Sequence, residues 1–307
     1  MSLIAVFPGQ GSQSLGMLAG YANESAVTDT FNVASEALGT DLWALIQEDE
    51  TRLNQTEFTQ PALLAASVAL YRLWQERGGD TPALMAGHSL GEYSALTCAG
   101  AFDLADAIKL VNQRGLCMQN AVPAGVGAMA AVIGLDDAGV QSLCDALAGD
   151  DVLAPVNYNS PGQVVVAGHK AAVDRAVVEG KAHGARMVKP LAVSVPSHCA
   201  LMTEAAENFA ETLKSAELKV PAVPVIHNVT AKPETDLEAI QQALLQQLYS
   251  PVRWVESMQT AIDTGASRAV EIGPGAVLQG LNKRIKKDWP QAGTEKPEQL
   301  DAALAAS

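Results

Sequence analysis

The stretch that most limits how this chain folds is Leu84-Met85-Ala86-Gly87-His88-Ser89-Leu90-Gly91-Glu92. It begins apolar, as the end of a buried strand does, and passes through Gly-x-Ser-x-Gly into the helix-forming run from Glu92 to Cys98. A strand, a turn flanked by glycines and a helix describe a nucleophile elbow. Side chains at Gly87 and Gly91 would clash across so tight a turn, and Ser89 is raised at its apex. The helix behind it directs backbone N–H groups toward any negative charge that develops there. An ordinary glycine-rich strand-to-helix turn would carry the same pentapeptide, so the rest of the chain has to supply the partners of a reactive serine.

The chain of 307 residues has room for one large domain, or for one domain carrying an insertion. Hydrophobic residues make up 48% and charged residues 18%, enough to build a sizeable core. A net charge of −14 argues against nucleic acid as a general partner, since phosphate binding needs a basic face. Cys98, Cys117, Cys144 and Cys199 stand far apart without a CxxC pair, which suggests neither a zinc site nor a disulfide framework. Met1 to Phe7 has no basic leader and is followed by Pro8, and no run approaches the ~20 apolar residues of a membrane span. The expectation is a cytoplasmic protein with no membrane partner.

Leu3 to Phe7 reads as a buried parallel strand ending in the loop Pro8-Gly9-Gln10-Gly11-Ser12-Gln13. That loop lacks the Gly-Lys-Ser/Thr of a phosphate loop and the GxGxxG of a dinucleotide site, so it reads either as a plain strand-ending turn or as a loop close to a ligand. Helices are expected over Glu24 to Leu38, Leu42 to Ile46, Pro61 to Arg77, with Pro61 at the first helical position, and Ala105 to Met118. From Gly127 to Pro190 the order becomes strand, helix, two strands, helix, strand, that of a ferredoxin-like unit. The fold class expected is therefore α/β, a large α/β-hydrolase-like domain with a parallel sheet over 1–125 and 196–307, and an inserted ferredoxin-like βαββαβ subdomain over 126–195. The main domain resumes with helices over Leu201 to Ser215, Leu237 to Leu248 and Val277 to Arg284, and strands over Val223 to Ile226 and Ala269 to Ile272. Beyond Trp289 the polar, then alanine-rich sequence suggests a loose tail.

A serine nucleophile needs a base. His88 neighbours Ser89 but points away from it on an elbow, which suits a wall. His169 and His183 fall in a turn and at a polar helix end of the insertion, where solvated surface is expected. His227 closes a strand and remains open. His198 stands out, because it follows a Pro-Ser turn and opens a helix in the main domain.

The motifs together resemble the malonyl-CoA:acyl carrier protein transacylase family. They are Phe7 to Gln13, Gln60-Pro61-Ala62, Gly87 to Tyr93, Gln113-Arg114-Gly115, Asn157 to Gln163, Pro196-Ser197-His198, Gln247 to Trp254 and Glu271 to Gly275, and they span nearly the whole chain in the family's order. The resemblance implies attack by Ser89 on a malonyl thioester with His198 as base, transfer to the phosphopantetheine thiol of holo acyl carrier protein, and no bound cofactor, malonyl-CoA being the substrate. It implies that the backbone carbonyl of Gln247 orients His198, that the N–H groups of Gln10 and Leu90 form the oxyanion hole, and that Arg114 pairs with the malonyl carboxylate. Asn157 and Asn159 become candidates for lining the cleft, with a turn-forming role as the alternative for Asn159. Many members carry Gly-Pro-Phe before the histidine, so Val195-Pro196-Ser197 is a departure that bears on the size of the acyl pocket. An acidic carrier protein would be repelled by the overall charge, so Lys283, Arg284, Lys286 and Lys287 are the expected docking patch. A polyketide acyltransferase, a serine thioesterase and a catalytically inactive binding protein are the alternative readings.

Overall fold

The computed structural model describes residues 2–193 and 195–306; Met1 and Ser307, at the ends of the expected outer domain, and Ser194, inside the expected insertion, lie outside them. The strands are β1 (Ser2–Phe7), β2 (Leu84–Gly87), β3 (Gly127–Ile133), β4 (Leu153–Ser160), β5 (Gln163–His169), β6 (Met187–Pro190), β7 (Val225–Ile226), β8 (Ala266–Glu271) and β9 (Gln291–Gly293). Five of them form a parallel sheet in the order β7-β2-β1-β8-β9. The other four form an antiparallel sheet in the order β4-β5-β3-β6, with the helices Asp137–Leu147 and Lys170–Glu179 supplying the two crossovers of a ferredoxin-like unit.

The continuous apolar run of β1 follows from its position between two strands in a sheet covered on both faces. Leu3, Ala5 and Phe7 enter one core with the helices Ser25–Leu38 and Thr56–Glu76, whereas Ile4 and Val6 enter a second with Trp254, Met258 and Leu278. In the antiparallel sheet Val132, Val164 and Val166 pack under its own two helices, while Met129, Val165 and Ala167 face the opposite way, with Val156 and Cys199. Backbone bonds from Tyr158 N–H to Val252 O (3.0 Å) and from Val252 N–H to Val156 O (2.8 Å) tie β4 to the main domain beside Asn157.

Three sequence expectations are corrected. The helix expected to begin at Pro61 begins at Thr56. Inside a helix proline leaves a carbonyl one turn back without its donor; here that carbonyl is Glu57 O, and the Asn112 side-chain amide donates to it at 2.9 Å. The tail beyond Trp289 is not loose. It adds β9 to the edge of the parallel sheet and continues as the helix Pro297–Ala305, burying Leu300 and Ala303. Tyr21 Oη donates to Thr294 O at 2.8 Å, which fastens this segment to the opposite end of the sequence. His169 is half-buried rather than solvated, its Nδ1 accepting the Val152 N–H at 2.9 Å. The helix Trp254–Asp263, not anticipated, covers the second core.

Candidate active site

The elbow forms as its glycines require. A Cβ on Gly87 would lie 1.8 Å from the carbonyl carbon of Gly91, and one on Gly91 would lie 2.0 Å from Phe7 O. Ser89 takes φ 53° and ψ −111°, a conformation held by its surroundings rather than by its own preference. The holding group is Asn228, just after β7. Its Oδ1 accepts the Ser89 N–H at 2.7 Å, and its Nδ2 donates to Gly87 O at 2.6 Å.

His198 lies against this serine, with Nε2 2.8 Å from Ser89 Oγ. Its Nδ1 is 2.6 Å from Gln247 O, and because a carbonyl only accepts, Nδ1 carries the proton and Nε2 presents its lone pair to the serine hydroxyl. Like Ser89, His198 has a positive φ, of 66°. Only four non-glycine residues among those described do so, and two of them form this pair, so the backbone strain is concentrated where the side chains meet.

Arg114, on the helix Leu104–Asn120, is 1% exposed. Its Nη1 donates to Gln60 Oε1 and its Nη2 to Gln247 Oε1, both at 2.8 Å, and Nη2 also reaches Ser89 Oγ at 3.3 Å. The guanidinium carbon stands 5.2 Å from the centre of the Tyr93 ring. All these partners are neutral. A full positive charge is therefore held at the serine without a carboxylate in contact with it, which suits recognition of an anion from outside.

A cleft of about 190 Å³ opens over the serine. Gln10, Leu90 and Arg114 line it, as do Asn157 and the segment that includes Val195 and Ser197. The backbone N–H groups of Gln10 and Leu90 have no acceptor among the described residues. Asn157 Oδ1 is likewise buried without a partner. Asn159 does not line the cleft as expected. It is buried and its Oδ1 accepts from His88 Nε2 at 2.8 Å, which holds that ring as a wall. Lys283, Arg284, Lys286 and Lys287 are all exposed, and Arg284 also donates to Gln163 Oε1 of β5.

Behind the elbow sits a polar network that sequence reasoning missed. Glu92 is completely buried, with Oε1 2.7 Å from His227 Nδ1 and Oε2 accepting from Asn228 N–H (3.0 Å) and Gln247 Nε2 (2.7 Å). The only signal was a glutamate and a histidine in otherwise apolar surroundings, 135 positions apart.

Burial and the neighbouring Arg114 charge pull the pKa of His198 down to about 3, against the smaller opposing effect of the Gln247 carbonyl. A depressed value keeps Nε2 unprotonated as the pH falls. The second-order rate of Ser89 acylation is thus expected to stay level from about pH 8 to about pH 5 when followed by rapid-quench mass spectrometry. A tenfold loss per pH unit setting in near the ordinary histidine value of about 6.5 would contradict this.

The comparisons with known proteins agree with one another. The acyl transferase domain family matches residues 4–303. A malonyl CoA-acyl carrier protein transacylase of Escherichia coli (strain K12) is 55% identical over 301 residues, 97% of each chain. The structure of a malonyl CoA-acyl carrier protein transacylase from Coxiella burnetii superposes with a TM-score of 0.97 at 47% identity, over 99% of this chain and 97% of that one. A malonyl-transacylase solved in complex with its type II PKS acyl-carrier protein superposes with a TM-score of 0.98 at 53% identity, over the whole of both chains. With a family match across nearly its whole length and relatives more than half identical, this chain belongs to the malonyl CoA-acyl carrier protein transacylases of the acyl transferase family.

Proposed function

We propose that the protein transfers a malonyl group from malonyl-CoA to the phosphopantetheine thiol of holo acyl carrier protein, supplying fatty acid synthesis, through a malonyl ester on Ser89. The observation that carries this reading is the Arg114 guanidinium, held by neutral amides 3.3 Å from Ser89 Oγ. The malonyl carboxylate pairs with that charge and sets the thioester carbonyl over the serine. His198 Nε2 takes the hydroxyl proton as Ser89 Oγ attacks, and the carbonyl oxygen becomes an oxyanion bound by the N–H groups of Gln10 and Leu90, each such donor being worth ~3 kcal/mol. The C–S bond then breaks and the imidazolium returns its proton to the coenzyme A thiolate. In the second half His198 deprotonates the carrier thiol, the thiolate attacks the ester, the C–O bond breaks and Ser89 regains its proton. The substrate carboxylate, by neutralising Arg114, removes one of the influences that depress His198, so the imidazolium forms more readily in the loaded site than in the empty one.

Intact-protein mass spectrometry after brief mixing with malonyl-CoA tests this. The expected result is a single malonyl adduct on the peptide carrying Ser89, discharged by holo carrier protein faster than by water. An adduct lost to water at the same rate with and without carrier would favour a thioesterase instead.

Docking uses Lys283, Arg284, Lys286 and Lys287, at and just beyond the end of the helix Val277–Ile285. The start of that helix is fixed by Glu271, whose carboxylate accepts the N–H groups of Leu278 (3.1 Å) and Gln279 (3.0 Å). Reversing the charge of Lys286 and Lys287 is expected to raise the KM for carrier protein several-fold with the KM for malonyl-CoA unchanged. An unaltered carrier KM in steady-state kinetics would remove the patch from the interface.

A further inference from the structure

We infer that Glu92 is a positioning residue for acyl selection, holding Arg114 in its carboxylate-binding pose through the side-chain amide of Gln247; this rests on the malonyl-transfer reading above. A terminal amide has a donor end and an acceptor end, and its neighbours decide which way round it sits. Glu92 Oε2, 2.7 Å from Gln247 Nε2, can only accept from it. The Ser89 carbonyl, 3.0 Å from the same nitrogen, and Asn228 Oδ1, 3.4 Å from it, also accept, but both are neutral and lie further off than the carboxylate, so they are the weaker guides. With Nε2 committed to the carboxylate, Gln247 Oε1 must face Arg114 Nη2, and it does so at 2.8 Å. Turned over, the amide would set its NH2 against the guanidinium donors and its oxygen against the carboxylate.

The arrangement also settles where the charges lie. Glu92 and Arg114 are both buried and of opposite sign, yet one neutral amide stands between them. In direct contact the carboxylate would occupy the guanidinium and compete with the malonyl group. At one amide's remove it still favours the cation and leaves Nη2 directed at Ser89 Oγ. His227 holds Oε1 of Glu92 and the Asn228 N–H makes a second bond to Oε2, so each carboxylate oxygen is tied and the group is kept from turning away.

The test compares malonyl-CoA and acetyl-CoA as donors for Ser89 acylation, each followed to its own kcat and KM by intact-protein mass spectrometry. Acetyl loading uses Ser89 and His198 but not the carboxylate site, so it reports on the scaffold. In Glu92→Gln, where the new amide lets Gln247 turn over, the malonyl-to-acetyl ratio is expected to fall about tenfold, mainly through a higher malonyl KM. Glu92→Asp, which keeps an acceptor-only group, should recover part of that loss. Gln247→Glu examines the link from its other end and stays informative if Glu92→Gln does not fold. It sets one carboxyl oxygen on Arg114 and the other against Glu92, where the two carboxyl groups share a proton, and is expected to lower the ratio in the same direction. Parallel losses with both donors, or an unchanged ratio in both variants, would overturn the inference. Failure of the wild-type protein to take up malonyl at all would instead overturn the transacylase reading.

Discussion

His198→Asn is expected to slow malonyl loading of Ser89 by about 10⁴-fold, the upper range for loss of a positioned general base. Asparagine suits the test because it tolerates the left-handed backbone that His198 occupies at φ 66°, where alanine would add strain to the loss of function. The shorter side chain cannot reach Ser89 Oγ, and it has no nitrogen basic enough to hold the proton released in the attack. The Gln10 and Leu90 N–H groups and Arg114 remain, so substrate is still expected to bind and a slow residual reaction to survive. Rapid-quench mass spectrometry with malonyl-CoA measures the rate, and a thermal melt checks the fold. A loss of less than tenfold in a protein with an unchanged melt would mean that another group accepts the proton.

Arg114→Ala is expected to cut malonyl loading by about 10³-fold while acetyl loading holds or rises. Truncating one partner of a buried, hydrogen-bonded charge pair typically costs 2–5 kcal/mol or more, and about 4 kcal/mol is a factor of 10³. The sign for acetyl is opposite because an acetyl group offers nothing to the cation. Bringing it in beside the guanidinium displaces water from a charge that gains no partner, and alanine removes that penalty. The variant also leaves Gln60 Oε1 and Gln247 Oε1 without their donor, so the melting temperature should drop. The ratio of the two acyl donors on one preparation is insensitive to that drop. Equal losses with malonyl-CoA and acetyl-CoA would deny Arg114 any part in selection.

How much of this could be read from the sequence depended on how local the physical cause was. The elbow was legible because the steric demand falls on two glycines within five residues, and the ferredoxin-like segment because periodicity switched within a short span. The pairing of Ser89 with His198 spans 109 positions; the Pro-Ser turn before it singled out His198, but His227 stayed open until the resemblance was added. His227 turned out to serve Glu92 from a fully buried position. The start of the Thr56–Glu76 helix was misread because the donor that compensates for Pro61 comes from Asn112, on another helix. The alanine-rich tail looked loose because Leu300 and Ala303 become core residues only when the chain returns to the sheet. Asn159 was a candidate for the cleft, with a turn as the alternative, and neither local pattern says that its amide faces His88, 71 positions away.

The central position of β1 bears on the order in which the molecule assembles. This strand carries the Gln10 loop and lies between β2, some eighty positions on, and β8, whose Ser267 hydroxyl bonds to Ser2 O across 265 positions. A ribosome therefore releases the strand and the elbow long before it releases the second neighbour that closes the sheet. During that interval Leu3, Ile4 and Val6 have an open edge to offer, and parallel edges of this kind recruit other chains readily. Contacts of such long range also form slowly once the whole chain is free. Synthesis at speed thus leaves the Gln10 loop waiting for the last strand that supports it.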